Sequence, residues 1–185
     1  MAAIELTDLH KYFILRHLGE GDVAVDFTMG NGHDTLWLSN KVGENGKVYA
    51  FDIQKQALES SEKLLCDSGC PKNYTLILDS HANVENYVKE PICAGMFNLG
   101  YLPGSDKSVT TLRESTMKAV EAALHLLEDD GGLLIAVYPG HEEGTLEGNM
   151  LTEYFSTLDR RKICVSQLRI VNSPTSPFFF LVEKR

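Results

Sequence analysis

Short β-like runs alternate with helical segments along most of this chain, and that alternation restricts its fold more than any other feature. The runs are Val23–Asp26, Lys47–Asp52, Tyr74–Leu78, Gly95–Leu99 and Leu133–Val137. Between them, apolar residues at helical spacing predict helices over Thr35–Lys41, Lys55–Leu65, Asn83–Val88 and Thr111–Leu127. Each such helix returns the chain so that the next strand runs in the same direction, which predicts an α/β fold: a doubly wound, mostly parallel sheet covered on both faces. A further helix, Thr7–Leu18, precedes the first strand, with Leu9, Tyr12, Phe13, Leu15 and Leu18 at spacings of three and four, Thr7 as its cap and Gly19 as its stop. The order changes after Val137. A helix over Leu146–Leu158 is followed by two strands, Ile163–Ile170 and Phe178–Val182, with the turn-forming "VNSPTSP" between them. No helix separates these two, so the last strand is expected to insert antiparallel.

The 185 residues, 43% of them hydrophobic, suit one core, so residues 1–185 are read as a single domain. No stretch approaches the roughly 18 to 20 apolar residues of a membrane helix, and "MAAIELTDLHKYF" lacks the pattern of a secretory signal; a cytoplasmic location with no membrane partner is expected. Cys66, Cys70, Cys93 and Cys164 form no CxxC pair and read as reduced structural thiols. A formal charge of -9 argues against general coating of nucleic acid, which calls for a basic surface. Local basic clusters remain at Lys11, Arg16 and His17 and at Arg160, Arg161 and Lys162, which taken alone read as solvated charge.

The chemistry concentrates where the first strand ends, in "VAVDFTMGNGHDTLWLS". Ligands of doubly wound sheets bind at the carboxyl ends of the strands, where the winding reverses. Gly30 and Gly32 let backbone approach a ligand closely, and Asp52, 20 residues past Gly32, is placed to receive a ribose hydroxyl pair. A dinucleotide site wants a third glycine where Thr35 stands. S-adenosylmethionine has an adenosine and an amino-acid tail but no phosphate, and these residues meet its needs. Asp26 closes the first strand, Asn31, Asp34 and Thr35 serve the methionine ammonium and carboxylate, and Asp52 with Gln54 in "FDIQ" serves the ribose. Asp79, Ser80 and His81 end the third strand as an adenine station.

With these stations in order, the chain resembles the class I S-adenosylmethionine-dependent methyltransferases over nearly its whole length. It is most similar to a small bacterial family labelled rRNA methylases and identified as tRNA 5-aminomethyl-2-thiouridine methyltransferases. "DFTMGNGHDT", "FDIQ", "DSHAN", "FNLGYLPGSDKSVTT", "YPGHEEGTLE" and "NSPTSPFFFLVEK" carry the likeness. The resemblance implies a seven-stranded sheet, S-adenosylmethionine as methyl donor, a homodimer, and methylation of the primary amine on the wobble uridine in a tRNA anticodon loop.

"FNLGYLPG" sets Asn98 at the end of the fourth strand, Tyr101 three residues on and Pro103 in the loop. The N-x-x-Y spacing is similar to the N-P-P-Y loop of enzymes that methylate exocyclic amines, without its prolines. Asn98 and Tyr101 are the expected catalytic pair: acceptors such as the Asn98 side-chain oxygen or the loop carbonyls hold a deprotonated amine in line with the departing sulfur, and Tyr101 stacks on the base. His33, Asp34 and His141 are candidate bases. The loop has no cysteine nucleophile of the kind used in carbon-5 pyrimidine methylation, which favours transfer to nitrogen. His141, Glu142 and Glu143 lack metal-site spacing, and no metal is expected. Two alternatives stand beside RNA methylation: methylation of a small-molecule amine, which the acidic balance favours, and a donor-binding scaffold without turnover.

Overall fold

The computed structural model describes residues 6–100, 111–140 and 142–185. In chain order the elements are α1 (Leu6–Ile14), β1 (Val23–Asp26), α2 (His33–Val42), β2 (Lys47–Asp52), α3 (Lys55–Asp67), β3 (Tyr74–Leu78), a 3-10 turn (His81–Asn83), α4 (Val84–Tyr87), β4 (Ile92–Leu99), α5 (Arg113–Leu126), β5 (Leu127–Val137), α6 (Glu142–Ser156), β6 (Ile163–Leu168) and β7 (Phe178–Lys184). The strands form one seven-stranded sheet in the order β3-β2-β1-β4-β5-β7-β6. β1 through β5 pair in parallel, while β7 runs antiparallel to both β5 and β6. The winding therefore reverses between β1 and β4, and the last strand inserts antiparallel as the missing helix requires.

Strand side chains alternate between two apolar layers. Val25, Phe97, Leu133, Phe178 and Phe180 face α5 and α6, where they join Ala119, Val120, Leu124 and Phe155. Ala24, Met96, Leu134 and Phe179 face the other way and join Ile14 of α1 with Leu38 and Val42 of α2. Central strands buried on both faces read as continuous apolar runs, as β4 does in "ICAGMF". Gly95 sits at the middle of β4, beside Val25 of β1 and Leu133 of β5. A Cβ there would stand 2.8 Å from the Phe27 ring and 2.7 Å from Leu133 Cδ2, so the absent side chain makes room for Phe27. Phe27 uses that room to stack on Phe97 with ring centroids 4.0 Å apart.

The structure moves several boundaries. Thr7 falls inside α1 instead of capping it, and the helix ends at Ile14, followed by looser turns through His17. α6 starts four residues earlier than its apolar spacing suggests, at Glu142, because acidic residues suit a helix's first turn. β4 begins at Ile92, which puts Cys93 inside a strand rather than ahead of one. β5 begins at Leu127, where the helix over Thr111–Leu127 was expected to end. Leu127 pairs with Ile92, then Gly132 with Ala94, so Glu128 to Gly131 form a bulge. Asp130 takes a left-handed φ of 64° in that bulge, which is how a turn-like "EDDGG" fits within one strand.

Candidate functional site

The carboxyl ends of β1, β2, β3, β4 and β5 share one edge, and the glycine turn lies at its centre. Gly30 and Gly32 have φ of 54° and 84°, the left-handed region that favours glycine. Gly32 is tightly held, since a Cβ on it would meet the Ser61 backbone at 2.9 Å. The turn is secured by Met29 N–H donating to Phe51 O (2.8 Å) and by Ser61 Oγ donating to Gly30 O (3.0 Å). Ser61 is buried on α3, and nothing in its local sequence marks it.

Asp52 stands at the end of β2 and receives backbone N–H groups on both oxygens: Gly30 on Oδ2 (3.0 Å) and Gln54 on Oδ1 (2.9 Å). Burial raises its pKa, opposed by these bonds. Gln54 is the N-cap residue of α3 and contributes through its backbone. Next to Asp52, Ile53 leaves 60% of its surface exposed, an apolar face beside an acid that sequence reasoning passed over. Asn31, half-buried, lies between the two glycines.

Three of the expected ligand-facing residues lie beneath this rim, committed to protein groups. Asp26 is fully buried, accepting from Thr35 Oγ1 on Oδ2 (2.6 Å) and from Thr28 N–H on Oδ1 (3.1 Å). Burial pushes its carboxyl up to about 7, and the Asp34 and Asp52 charges add to this. Thr35 is likewise fully buried. His81 is buried with Nδ1 3.0 Å from Phe27 O; as a carbonyl only accepts, Nδ1 carries the proton. Burial holds the pKa of His81 down and keeps it neutral. Ser80 caps the 3-10 turn by accepting from Ala82 N–H (3.3 Å). Asp79 accepts from Tyr87 Oη (2.8 Å), Asn83 Nδ2 (3.0 Å) and Ser80 N–H (2.7 Å), and the Tyr87 bond leads in lowering its pKa.

Asn98 lies across the switch point on β4. Its backbone N–H donates to Thr28 Oγ1 (2.6 Å) and its Nδ2 to Asp34 Oδ2 (2.8 Å). A carboxylate offers only acceptors, so this bond fixes the amide's orientation and leaves Oδ1 as the group turned from Asp34. The other Asp34 oxygen, Oδ1, pairs with Lys11 Nζ at 3.1 Å. Tyr138 follows β5 beside Gly100; burial leads in raising its pKa, and the Asp34 charge adds to it. His33, the first residue of α2, is exposed. Tyr101, Pro103 and His141 lie outside the described residues.

The two basic clusters take different roads. Lys11 joins the site, whereas His17 of the same cluster lies against β7, its Nε2 3.3 Å from Glu183 Oε1. Arg161 pairs with Asp159. Cys93 is buried in β4 and burial pushes its thiol up to about 12, so it supplies no thiolate at neutral pH. A groove lined by Met117, Lys118, Leu146 and Met150 lies on α5 and α6 and contains none of the site residues.

Comparison with known proteins fits this geometry. Residues 48–184 match the family model described as "Putative rRNA methylase". A chloroplastic tRNA (mnm(5)s(2)U34)-methyltransferase of Arabidopsis thaliana is 35% identical over 179 residues, 90% of this chain, which spans 64% of that relative's length. Among solved structures, an rRNA methylase from Clostridium thermocellum, titled "putative", superposes with a TM-score of 0.94 at 37% identity, covering 100% of both chains. A Streptococcus mutans protein titled "a putative methyltransferase", solved in complex with SAH, superposes at 0.89 with 38% identity, again over 100% of both.

Proposed function

The chain belongs to the rRNA methylase family, and from that premise we propose that it transfers a methyl group from S-adenosylmethionine to a nitrogen of RNA. The acceptor in this reading is the aminomethyl group of 5-aminomethyl-(2-thio)uridine at the wobble position of tRNA. The observation that carries it is Asn98 at the end of β4, one strand from the glycine turn, whose side-chain amide donates to Asp34 and whose backbone N–H donates to Thr28 Oγ1.

The residues of the turn suit a donor with a ribose and no phosphate. Gly30, Asn31 and Gly32 offer close backbone, Asp52 offers an acid for hydroxyls, and exposed Ile53 offers an apolar face. When bound, the donor supplies an electrophilic methyl on a sulfonium. Asp26, Thr35 and His81 work from below. The Thr35–Asp26 bond ties α2 to β1, and the His81 bond to the Phe27 carbonyl ties the β3 station to the same turn.

On the acceptor side, Asn98 Oδ1 receives an N–H of the neutral amine and turns its lone pair toward the methyl carbon. Tyr101, three residues on, stacks on the base. Cys93 supplies no thiolate, which supports nitrogen over carbon as the atom methylated. The reading extends to a homodimer, a cytoplasmic location and a single methyltransferase domain over residues 1–185.

The test is methyl transfer to tRNA purified from a strain that lacks this gene, with labelled S-adenosylmethionine and mass spectrometry of the nucleosides. Label in the wobble nucleoside is expected. The net charge of -9 favours a small-molecule amine as a second acceptor class, so the same assay includes metabolite extract. Label entering metabolites in preference to tRNA overturns the RNA reading, and donor binding without transfer to either leaves a scaffold.

A further inference from the structure

Lys11 stands apart from its basic neighbours because its ammonium reaches into the site. Nζ lies 3.1 Å from Asp34 Oδ1 and 5.4 Å from the centroid of the Trp37 ring. Asp34 is thereby shared: one oxygen holds Lys11 and the other holds the Asn98 amide. The arrangement places a cation one carboxylate away from the side chain that receives the amine.

An alkyl amine is mostly protonated at neutral pH and cannot accept a methyl group in that form. The charges facing the Asp34–Asn98 pair decide how costly that proton is. Asp26 of β1 is a fully buried acid bonded to Thr35, and Asp52 of β2 lies beyond it. Tyr138 after β5 presents a phenol, and His33 at the start of α2 is exposed. Asp34 is therefore the acid in direct contact with Asn98, and left alone it would stabilise a bound ammonium and hold it protonated. Lys11 neutralises that acid and adds a like charge.

We propose that Lys11 is a positioning residue for the acceptor: by pairing with Asp34 beside Asn98, it keeps the bound amine unprotonated. This rests on the amine-methylation reading above. The lost proton goes to solvent before transfer, and the methylated amine then carries the positive charge that leaves the sulfonium.

The test is the single-turnover rate with saturating S-adenosylmethionine and tRNA from the gene-deleted strain, followed from roughly pH 6 to 10. The rate rises with pH as the bound amine loses its proton. In Lys11→Met the rising limb is expected about one unit higher, with rates rejoining wild type at the alkaline end. Lys11→Arg keeps the charge and is expected to keep the wild-type limb. A Lys11→Met rate lowered by one factor at every pH, or unchanged throughout, overturns the inference. So does tighter binding of S-adenosylmethionine to Lys11→Met by calorimetry, since Lys11 would then be competing with the donor's own ammonium for Asp34. Absence of transfer by wild type is a different failure, that of the amine-methylation reading itself, and the inference falls with it.

Discussion

The two sides of the switch point are built in different ways. On the β1–β2 side each bond has at least one backbone partner: the Asp52 carboxylate takes N–H groups from Gly30 and Gln54, and the turn is pinned by Met29 N–H on Phe51 O and by the Ser61 hydroxyl on Gly30 O. On the β4 side, the Asn98 amide depends on a chain of side chains, Asn98 to Asp34 to Lys11, that crosses three elements. A bond to backbone keeps that partner whatever side chains are exchanged nearby, whereas a chain of side chains can be retuned one link at a time. In the proposed reading, the comparison teaches that the donor half is preorganised and the acceptor half adjustable.

The sharpest way to break the comparison is Asn98→Ala. Transfer should fall about a thousandfold, roughly 4 kcal/mol of barrier, with donor affinity within about twofold of wild type. Equal losses in both would mean the halves are one unit. Asp26 beneath the turn comes next. Its folded pKa of about 7 exceeds the unfolded value of 3.8, so the folded state holds its proton where the unfolded state has released it. Stability from this group is therefore present at low pH and is lost as pH rises through about 7. Against Asp26→Asn, wild type should gain about 3 kcal/mol in chemical denaturation on going from pH 7 to pH 4. His81 acts with the opposite sign, its depressed pKa costing stability below the unfolded value of 6.5, and it cancels in that difference because both proteins carry it.

Asp52→Ala removes the acid proposed for the ribose and should weaken S-adenosylmethionine about thirtyfold by calorimetry, roughly 2 kcal/mol, while bound-state transfer stays near wild type. Ser61→Ala gives the smallest change. It loses one hydrogen bond to Gly30 O and should lower stability by about 1 kcal/mol in denaturant, without altering the pH profile of transfer.

Much of the geometry around the glycine turn was legible because local chemistry writes it. Glycines at left-handed positions and an acid ending the second strand are short-range signals, and the strand–helix alternation placed them on one edge. Ser61 left no such trace: its approach to Gly32 depends on how α3 docks against the turn, a tertiary fact. Asp26, Thr35 and His81 show the converse. Their types placed them in the candidate site, but their burial and their bonds to one another and to the Phe27 carbonyl depend on how β1, α2 and the turn after β3 pack. In the sequence Lys11 looks like surface charge, because the distance from α1 to α2 is set by the sheet they share. The bulge in β5 escaped because Asp130 adopts a backbone conformation that its residue type does not announce.

The missing side chain at Gly95 has a reach well beyond β4. Phe27 fills that gap with its ring, bonds Met96 O through its N–H (2.9 Å), and offers its carbonyl to His81. A single methyl group added at Gly95 would push Phe27 and, through it, both the imidazole below the third strand and the backbone leading into the glycine turn. A residue with no side chain thus governs, through Phe27, how the third-strand turn and the glycine turn sit relative to one another.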